Sequence, residues 1–238
     1  MFNAPPSSPG LSAVNDGIVP LSDTCMRNAD ETVTGKFSPE IIHTFTEQFG
    51  NSRLAVETFI GKGYAAAFGA TLTSFMPRLF ALHSSTGELV ASLGMRPASH
   101  PLFLERYLDH PIEVMLSDAL GISVQRREIV EVGHFAGTGA GAARAVIKQM
   151  TASLFHEGFK WVAFTGTAGL RNAFSRLGLN PLDLAPADPM RLNRSERLLW
   201  GSYYKEMPRV QFGDITAGFE VLEHISDVTN HSVRKVQL

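Results

Sequence analysis

The 238-residue chain lacks the features that would hold a small fold together covalently or carry it across a membrane. Its single cysteine, Cys25, can form no internal disulfide and leaves no cysteine cluster for zinc. Apolar runs such as 64–68 are far shorter than the roughly 18 residues of a spanning helix. No basic segment followed by an apolar stretch opens the sequence, so it predicts no secretory signal peptide. We therefore expect a cytoplasmic protein without a transmembrane segment.

An excess of charge of one sign is also missing. The 21 Lys and Arg residues nearly balance the 23 Asp and Glu residues, which predicts neither a nucleic-acid partner nor an anionic membrane surface. The eight histidines show no metal-ligand spacing, so we expect no metal site. The Gly-x-Ser-x-Gly motif is absent as well, which argues against an esterase of the α/β-hydrolase type.

What the sequence does contain is a globular composition with 44% hydrophobic residues. Residues 1–37 are rich in Pro, Ser, Asn and Asp without helical or strand periodicity, which predicts a mobile leader. The remainder, 38–238, is expected to form one domain. Its patterns predict an α/β (α+β) fold with a mixed sheet flanked by helices.

Local patterns place the main elements of that domain. Residues 78–83 and 88–95 read as a hairpin around a polar loop, and Pro111 divides 102–120 into two short helices. Apolar and aromatic residues at 198–204 predict a strand, and 215–224 a closing helix.

The strongest local signal for chemistry is a strand, a glycine-rich loop and a helix in succession. After the strand 128–136 comes Gly137-Thr138-Gly139-Ala140-Gly141, and the helix is expected to start at Ala142. Amides exposed at such a junction suit a phosphate or pyrophosphate. The spacing fits neither the dinucleotide fingerprint nor a P-loop, so NAD and ATP are disfavoured. The candidate phosphate-binding residues are Gly137, Thr138, Gly139, Gly141 and Ala142. The alternative is that the glycines only form a tight turn.

Two titratable residues lie within the strand that precedes this loop. Glu131 stands between two valines, and a buried carboxylate there suits a general base or an anchor for a substrate amine. It could instead face solvent from a half-exposed sheet. His134 points to the opposite face of a regular strand, and only a β-bulge would let both side chains line one site. A structural histidine is the alternative.

Two further residues are candidates from more distant parts of the chain. Arg96 follows the hairpin and precedes Pro97, where a guanidinium could bind phosphate or carboxylate, or form a plain surface charge. Tyr203 lies in the aromatic run 200–204 and could act as a general acid, although such a run is commonly core.

Several of these segments together resemble the thermostable hemolysin family, over about residues 53–222. The segments are Phe75-Met76-Pro77-Arg78-Leu79, Leu93-Gly94-Met95-Arg96-Pro97-Ala98, Leu102-Phe103-Leu104-Glu105-Arg106-Tyr107-Leu108, Ile129-Val130-Glu131-Val132-Gly133, Gly158-Phe159-Lys160-Trp161-Val162-Ala163-Phe164-Thr165 and Trp200-Gly201-Ser202-Tyr203-Tyr204. The name of that family records lysis of red cells.

More distantly, the order of elements is similar to the GNAT acyltransferase fold and to the acyl-homoserine-lactone synthases within it. That similarity implies a mostly antiparallel central sheet. In those synthases an Arg after the hairpin and a Glu-x-x-Arg on the next central strand belong to the active site, and Arg96 and Glu131 fall at matching places. His134 stands where the second Arg would be, and Thr138 where a Gln or Arg would begin the glycine signature.

The resemblance implies an acyltransferase that moves an acyl group from a coenzyme A or acyl carrier protein thioester to a small amine. Glu131 would accept the proton, Tyr203 or His134 would assist, and Arg96 with residues 137–142 would hold the donor. An acyl carrier protein would then be a partner. The alternatives are a direct membrane-lytic hemolysin and a catalytically silent GNAT-like binding domain.

Overall fold

The computed structural model describes residues 44–224, which contain a seven-stranded sheet. The strands are β1 Thr44–Glu47, β2 Arg78–His83, β3 Leu89–Pro97, β4 Ile129–Gly137, β5 Trp161–Gly166, β6 Leu182–Pro186 and β7 Arg209–Asp214. Their order in the sheet is β1-β2-β3-β4-β5-β7-β6, and neighbouring strands run antiparallel except β4 and β5, which are parallel. The predicted leader, 1–37, and the predicted start of the domain at residue 38 lie outside the described residues.

Helices cover both faces of the sheet. They are α1 Gly50–Phe68, α2 Ile112–Leu120, α3 Ala140–His156, α4 Ala168–Arg176, α5 Arg194–Leu199 and the helical residues 215–224. Short 3₁₀ turns are Leu104–Tyr107, Arg126–Glu128, Pro189–Arg191 and Tyr203–Glu206. The expected α/β (α+β) class with a mostly antiparallel sheet is confirmed. So are the hairpin β2–β3 and the break at Pro111, which directly precedes α2.

The core is divided between the two faces by strand alternation. One face packs α3, α4 and residues 215–224 against the sheet through side chains such as Val130, Val132 and Phe164. The other face packs α1, α2 and the Leu104–Tyr107 turn, with Ile60, Leu79 and Ile129 fully buried. No helix within 44–224 is long and apolar enough to cross a membrane.

The predicted strand at 198–204 is wrong. Asn193 and Glu196 form a capping box that starts α5, and the chain then turns at Gly201, which has φ +54°. A Cβ at Gly201 would lie 2.0 Å from the Phe68 carbonyl oxygen, so this turn packs directly on the end of α1. Tertiary contact and capping outweigh the strand preference of the aromatic residues. The strand that follows this turn is β7, which lies between β5 and β6 with Val210 and Phe212 buried.

The sheet opens in its middle. The ladder between β4 and β5 ends at the pair Val132 and Phe164, after which β4 stays with β3 and β5 stays with β7. The two central strands therefore part in front of α3 and α4, and a gap forms between them.

Candidate active site

A β-bulge in β4 lies at the edge of this gap. Ser92 pairs with Ala136 and Gly94 with Gly133, so two residues of β4, His134 and Phe135, face one residue of β3. His134 takes up the extra residue with φ +55°, a left-handed conformation that is uncommon outside glycine. The bulge reverses the alternation, so that His134 faces the α1 side of the sheet. This is the bulge that a shared site for Glu131 and His134 requires.

Glu131 and His134 line one cavity of about 260 Å³ on that face, together with Arg96 and Tyr203. Four of the sequence candidates thus meet in one place. The residues that line the cavity include six aromatic side chains and four charged ones. The aromatic residues are Tyr64, Phe75, Phe103, Tyr107, Trp200 and Tyr203, and the charged residues are Arg96, Arg106, Glu131 and Glu196.

Glu131 is buried, with 4% of its surface exposed. One carboxylate oxygen accepts the Phe103 N–H at 2.9 Å and the other accepts the Leu104 N–H at 3.0 Å. Burial raises the pKa of Glu131 above its ordinary value, although the two N–H groups and Arg96 oppose this shift. Glu131 therefore fixes the start of the 104–107 turn and also presents a carboxyl group of raised proton affinity to the cavity.

Arg96 lies directly across from Glu131 in the β3–β4 ladder. Its Nη1 atom is 4.0 Å from Glu131 Oε2 and donates to the Pro101 carbonyl oxygen at 3.3 Å. By contrast, Arg106 on the same cavity wall is bound to Glu196 at 2.6 Å. Arg96 thus keeps donor capacity toward the cavity.

His134 is half-buried and packs between Tyr64 and Phe75, with ring centroids at 6.4 and 5.4 Å. Burial, and then the charges of Arg96 and Arg53, lower its pKa to about 4, so the ring is neutral at physiological pH. Its Nδ1 atom accepts the Met76 N–H at 3.4 Å, which assigns the proton to Nε2. At physiological pH His134 is therefore a neutral imidazole that donates hydrogen bonds from Nε2.

Tyr203 is buried on the Tyr203–Glu206 turn and packs on Phe68 and Trp200 at 5.2 and 5.1 Å between ring centroids. Burial, with smaller effects from Tyr64 and Tyr204, raises the pKa of its hydroxyl well above the ordinary value. The group stays protonated and is suited to donating a hydrogen bond more than to releasing a proton.

The glycine-rich loop, residues 137–141, does not line the Glu131 cavity. Gly137 ends β4, Thr138 donates its N–H and its hydroxyl to the Val90 carbonyl oxygen at 2.9 and 3.3 Å, and Gly139 precedes α3. The helix begins at Ala140, two residues earlier than predicted, so Gly141 and Ala142 belong to its first turn. No side chain from the described part of the chain caps this end.

The predicted donor-binding residues are consequently spread along the sheet. Gly137 pairs with Ala91, whereas Glu131 pairs with Arg96. Five residues along β3 separate these pairs, which is roughly 17 Å at 3.3 Å per residue. Residues 137–142 do not line the cavity that holds Arg96. A single phosphate cannot contact both.

Two more cavities border the gap between β4 and β5. One of about 30 Å³ lies within it, lined by residues of both strands that include His134 and Thr165. Another, of about 310 Å³, lies on the opposite face of the sheet among mainly apolar residues of α3, α4 and 215–221. Val132 lines both this opposite-face cavity and the cavity of Glu131. Phe135 lines both the opposite-face cavity and the small cavity in the gap.

The structure adds residues that the sequence analysis missed. Thr165 lines the Glu131 cavity and the gap, and its hydroxyl oxygen is buried without a hydrogen-bond partner among residues 44–224. Thr165 directly follows Phe164, the last residue of β5 that pairs with β4, and no pattern in the sequence marks this position. Arg106 and Phe103 also line the cavity. The feature that would have pointed to them is the 104–107 turn, whose start Glu131 holds by accepting the Phe103 N–H.

Solved structures that share this fold at low sequence identity include those of FeeM and LasI. FeeM, an N-acyl amino acid synthase from uncultured soil microbes, has a TM-score of 0.51 at 12% identity, covering 74% of this chain and 93% of FeeM. The acyl-homoserine-lactone synthase LasI has a TM-score of 0.50 at 10% identity, covering 73% of this chain and 89% of LasI. These similarities confirm the fold that the resemblance to acyl-homoserine-lactone synthases implies.

The comparison by sequence is more specific about the family. A search of curated proteins finds no match. The sequence profile described as thermostable hemolysin matches residues 46–219, which is most of the chain. The chain therefore belongs to the thermostable hemolysin family.

Proposed function

We propose that this protein is an acyltransferase that moves an acyl group from a thioester of coenzyme A or of an acyl carrier protein to a small amine. The observation that supports this most is the bulge at His134, because it gives one cavity both a carboxylate and a neutral imidazole beside the gap between β4 and β5. Amine acylation by a thioester needs a base for the amine and a donor for the developing oxyanion.

The reaction is a direct transfer. The amine nitrogen attacks the thioester carbon, the C–N bond forms, and the C–S bond breaks to release the thiolate. Glu131 accepts the proton that the amine loses, directly or through a water molecule. His134 donates from Nε2 to the oxygen of the tetrahedral intermediate, and Tyr203 donates a hydrogen bond to the leaving thiolate. The thiolate then takes a proton from solvent and Glu131 releases its proton to solvent, and no covalent enzyme intermediate is needed.

The donor would follow the gap between the central strands. Its phosphate end would bind the backbone N–H groups at the start of α3. The first N–H groups of a helix have no partner within the helix and carry partial positive charge, so they suit a phosphate. The thioester would reach the Glu131 cavity from there. A long acyl chain would pass Val132 and Phe135 into the opposite-face cavity.

The proposal is tested by thiol release from acyl-coenzyme A and acyl carrier protein thioesters, with a panel of amines and mass detection of the amide. Amine-dependent thiol release that falls in Glu131→Gln is the expected result. The same protein, freed of small molecules, is added to erythrocytes. Lysis by the clean protein with no transfer from either donor would overturn the proposal in favour of direct membrane lysis.

A further inference from the structure

We infer that the acceptor is an α-amino acid with an apolar or aromatic side chain, whose carboxylate binds Arg96 while its amino group lies at Glu131. This inference rests on the proposed function and names the substrate class of the same cavity. It assigns Arg96 to the acceptor in place of the donor.

The first support is that Arg96 and Glu131 face each other without satisfying each other. They are directly opposed on neighbouring strands, but Nη1 and Oε2 are 4.0 Å apart, beyond hydrogen-bond range. Within residues 44–224 the other polar contact of the Arg96 guanidinium is the Pro101 carbonyl oxygen at 3.3 Å. A guanidinium carries five N–H donors in a fork that matches a carboxylate, so most of this capacity is open.

The second support is the contrast between Arg96 and Arg106, the other arginine of the cavity, in their carboxylate partners. Arg106 donates to Glu196 at 2.6 Å and lies 5.2 Å from the centroid of the Phe103 ring. It already has a carboxylate partner, whereas no carboxylate of the described residues lies within hydrogen-bond distance of Arg96. The position of Arg96, roughly 17 Å along β3 from the glycine-rich loop, also removes it from the phosphate end of the donor.

The third support is the charge pattern. The four charged groups of the cavity, two arginines and two glutamates, cancel in sum when ionised, and the imidazole is neutral. A zwitterionic amino acid enters this arrangement without adding net charge, and its two charged groups sit on one carbon, a separation that suits the opposed Arg96 and Glu131. A simple amine would enter as a cation and leave Arg96 unpaired.

Binding of a carboxylate to Arg96 would also prepare the base. Arg96 opposes the rise in the pKa of Glu131, so neutralising the guanidinium makes Glu131 a stronger proton acceptor when the acceptor is bound. The side chain of the amino acid would meet the aromatic walls, of which Phe75, Phe103 and Trp200 offer apolar surface.

The experiment compares phenylalanine, phenethylamine and phenylalaninamide as acceptors for decanoyl-coenzyme A and for decanoyl acyl carrier protein. Phenethylamine lacks the carboxylate, and phenylalaninamide keeps the skeleton without the charge. We expect kcat/KM for phenylalanine to exceed that of both analogues by about 10- to 100-fold, the value of a charge-assisted bidentate contact. In Arg96→Gln the three acceptors should become nearly equal.

Arg106→Gln is the matched control, because it removes an equal charge from the same cavity at a residue that already has a partner. It should keep the preference for phenylalanine. A wild-type protein that acylates all three acceptors equally would overturn the inference and leave the transferase intact, and this comparison needs no variant. Loss of the preference in Arg106→Gln but not in Arg96→Gln would also overturn it. Failure of every amine with either donor would overturn the proposed function itself.

Discussion

Glu131→Gln is the substitution whose effect the structure defines most closely. Both carboxylate oxygens accept backbone N–H groups, from the half-buried Phe103 at 2.9 Å and from the buried Leu104 at 3.0 Å. A glutamine offers one carbonyl oxygen, and its NH₂ group would face the other N–H as donor against donor. One buried N–H then loses its partner, which costs about 1–3 kcal/mol.

Removal of the Glu131 charge has the opposite effect on the free energy of unfolding. Burial raises the pKa of this carboxyl, so ionisation there is disfavoured, and the neutral amide avoids that penalty. We therefore expect a loss of about 1–2 kcal/mol in the free energy of unfolding. For a domain of this size that lowers Tm by roughly 2–4 °C per kcal/mol.

Catalysis should fall much further than stability. Loss of a general base lowers kcat by about 10²- to 10⁴-fold, measured as thiol release at a temperature where the variant is fully folded. The matched control is Glu105→Gln. Glu105 likewise accepts backbone N–H groups, from Leu102 at 3.3 Å and Ile112 at 3.0 Å, and binds Arg126, but it does not line the Glu131 cavity. It should lose stability and keep turnover.

Two results would refute this reasoning. A Glu131→Gln protein that is as stable as the wild type would show that the carboxylate does not hold the 104–107 turn. A folded variant that loses less than about tenfold in kcat, or no more than Glu105→Gln loses, would show that Glu131 is not the base.

Three other substitutions test separate parts of the structure. Because the folded-state pKa of His134 is lowered to about 4 from 6.5, its neutral form contributes stability that is fully present above pH 6.5 and is lost as pH falls toward 4. Asn tolerates the positive φ of this position, so Tm of His134→Asn should decline less over that range, and an equal decline would contradict the assignment. Gly201→Ala should cost about 3 kcal/mol or more in chemical denaturation, because strain at φ +54° adds to the overlap with the Phe68 carbonyl oxygen, whereas Gly87→Ala, at φ +84° in open space, should cost about 1–2 kcal/mol. Gly218 lines the opposite-face cavity, so Gly218→Leu should reduce turnover of long-chain donors but not of acetyl donors, while the exposed Thr216→Leu on the same helix should change neither. An unchanged chain-length profile in Gly218→Leu would exclude that cavity as the acyl site.

The elements that the sequence predicts correctly are those whose signals are local. A polar loop between two apolar runs is enough for the β2–β3 hairpin. Pro111 directly precedes α2, a position where its missing N–H costs no helical hydrogen bond. These preferences act within a few residues of the chain.

The segment 198–204 shows where local signals fail. Its aromatic residues favour a strand on propensity alone, but Gly201 has to pass within contact of the end of α1, more than 100 residues earlier. That approach allows only a turn. The capping pair Asn193 and Glu196 was visible in the sequence, and β7 also alternates apolar and polar residues, so both could have been found from the sequence.

By itself the sequence determined the fold class, the family and the residue types available for chemistry, because composition, periodicity and motifs are properties of neighbouring residues. Only the tertiary structure decided which of them meet. A one-residue bulge turns His134 to the face of Glu131, strand register sets Arg96 opposite that carboxylate, and the turn at Gly201 brings Tyr203 to the same cavity. The same register keeps residues 137–142 away from them. Register and bulges depend on pairing between distant strands, and so no spacing within one strand encodes them.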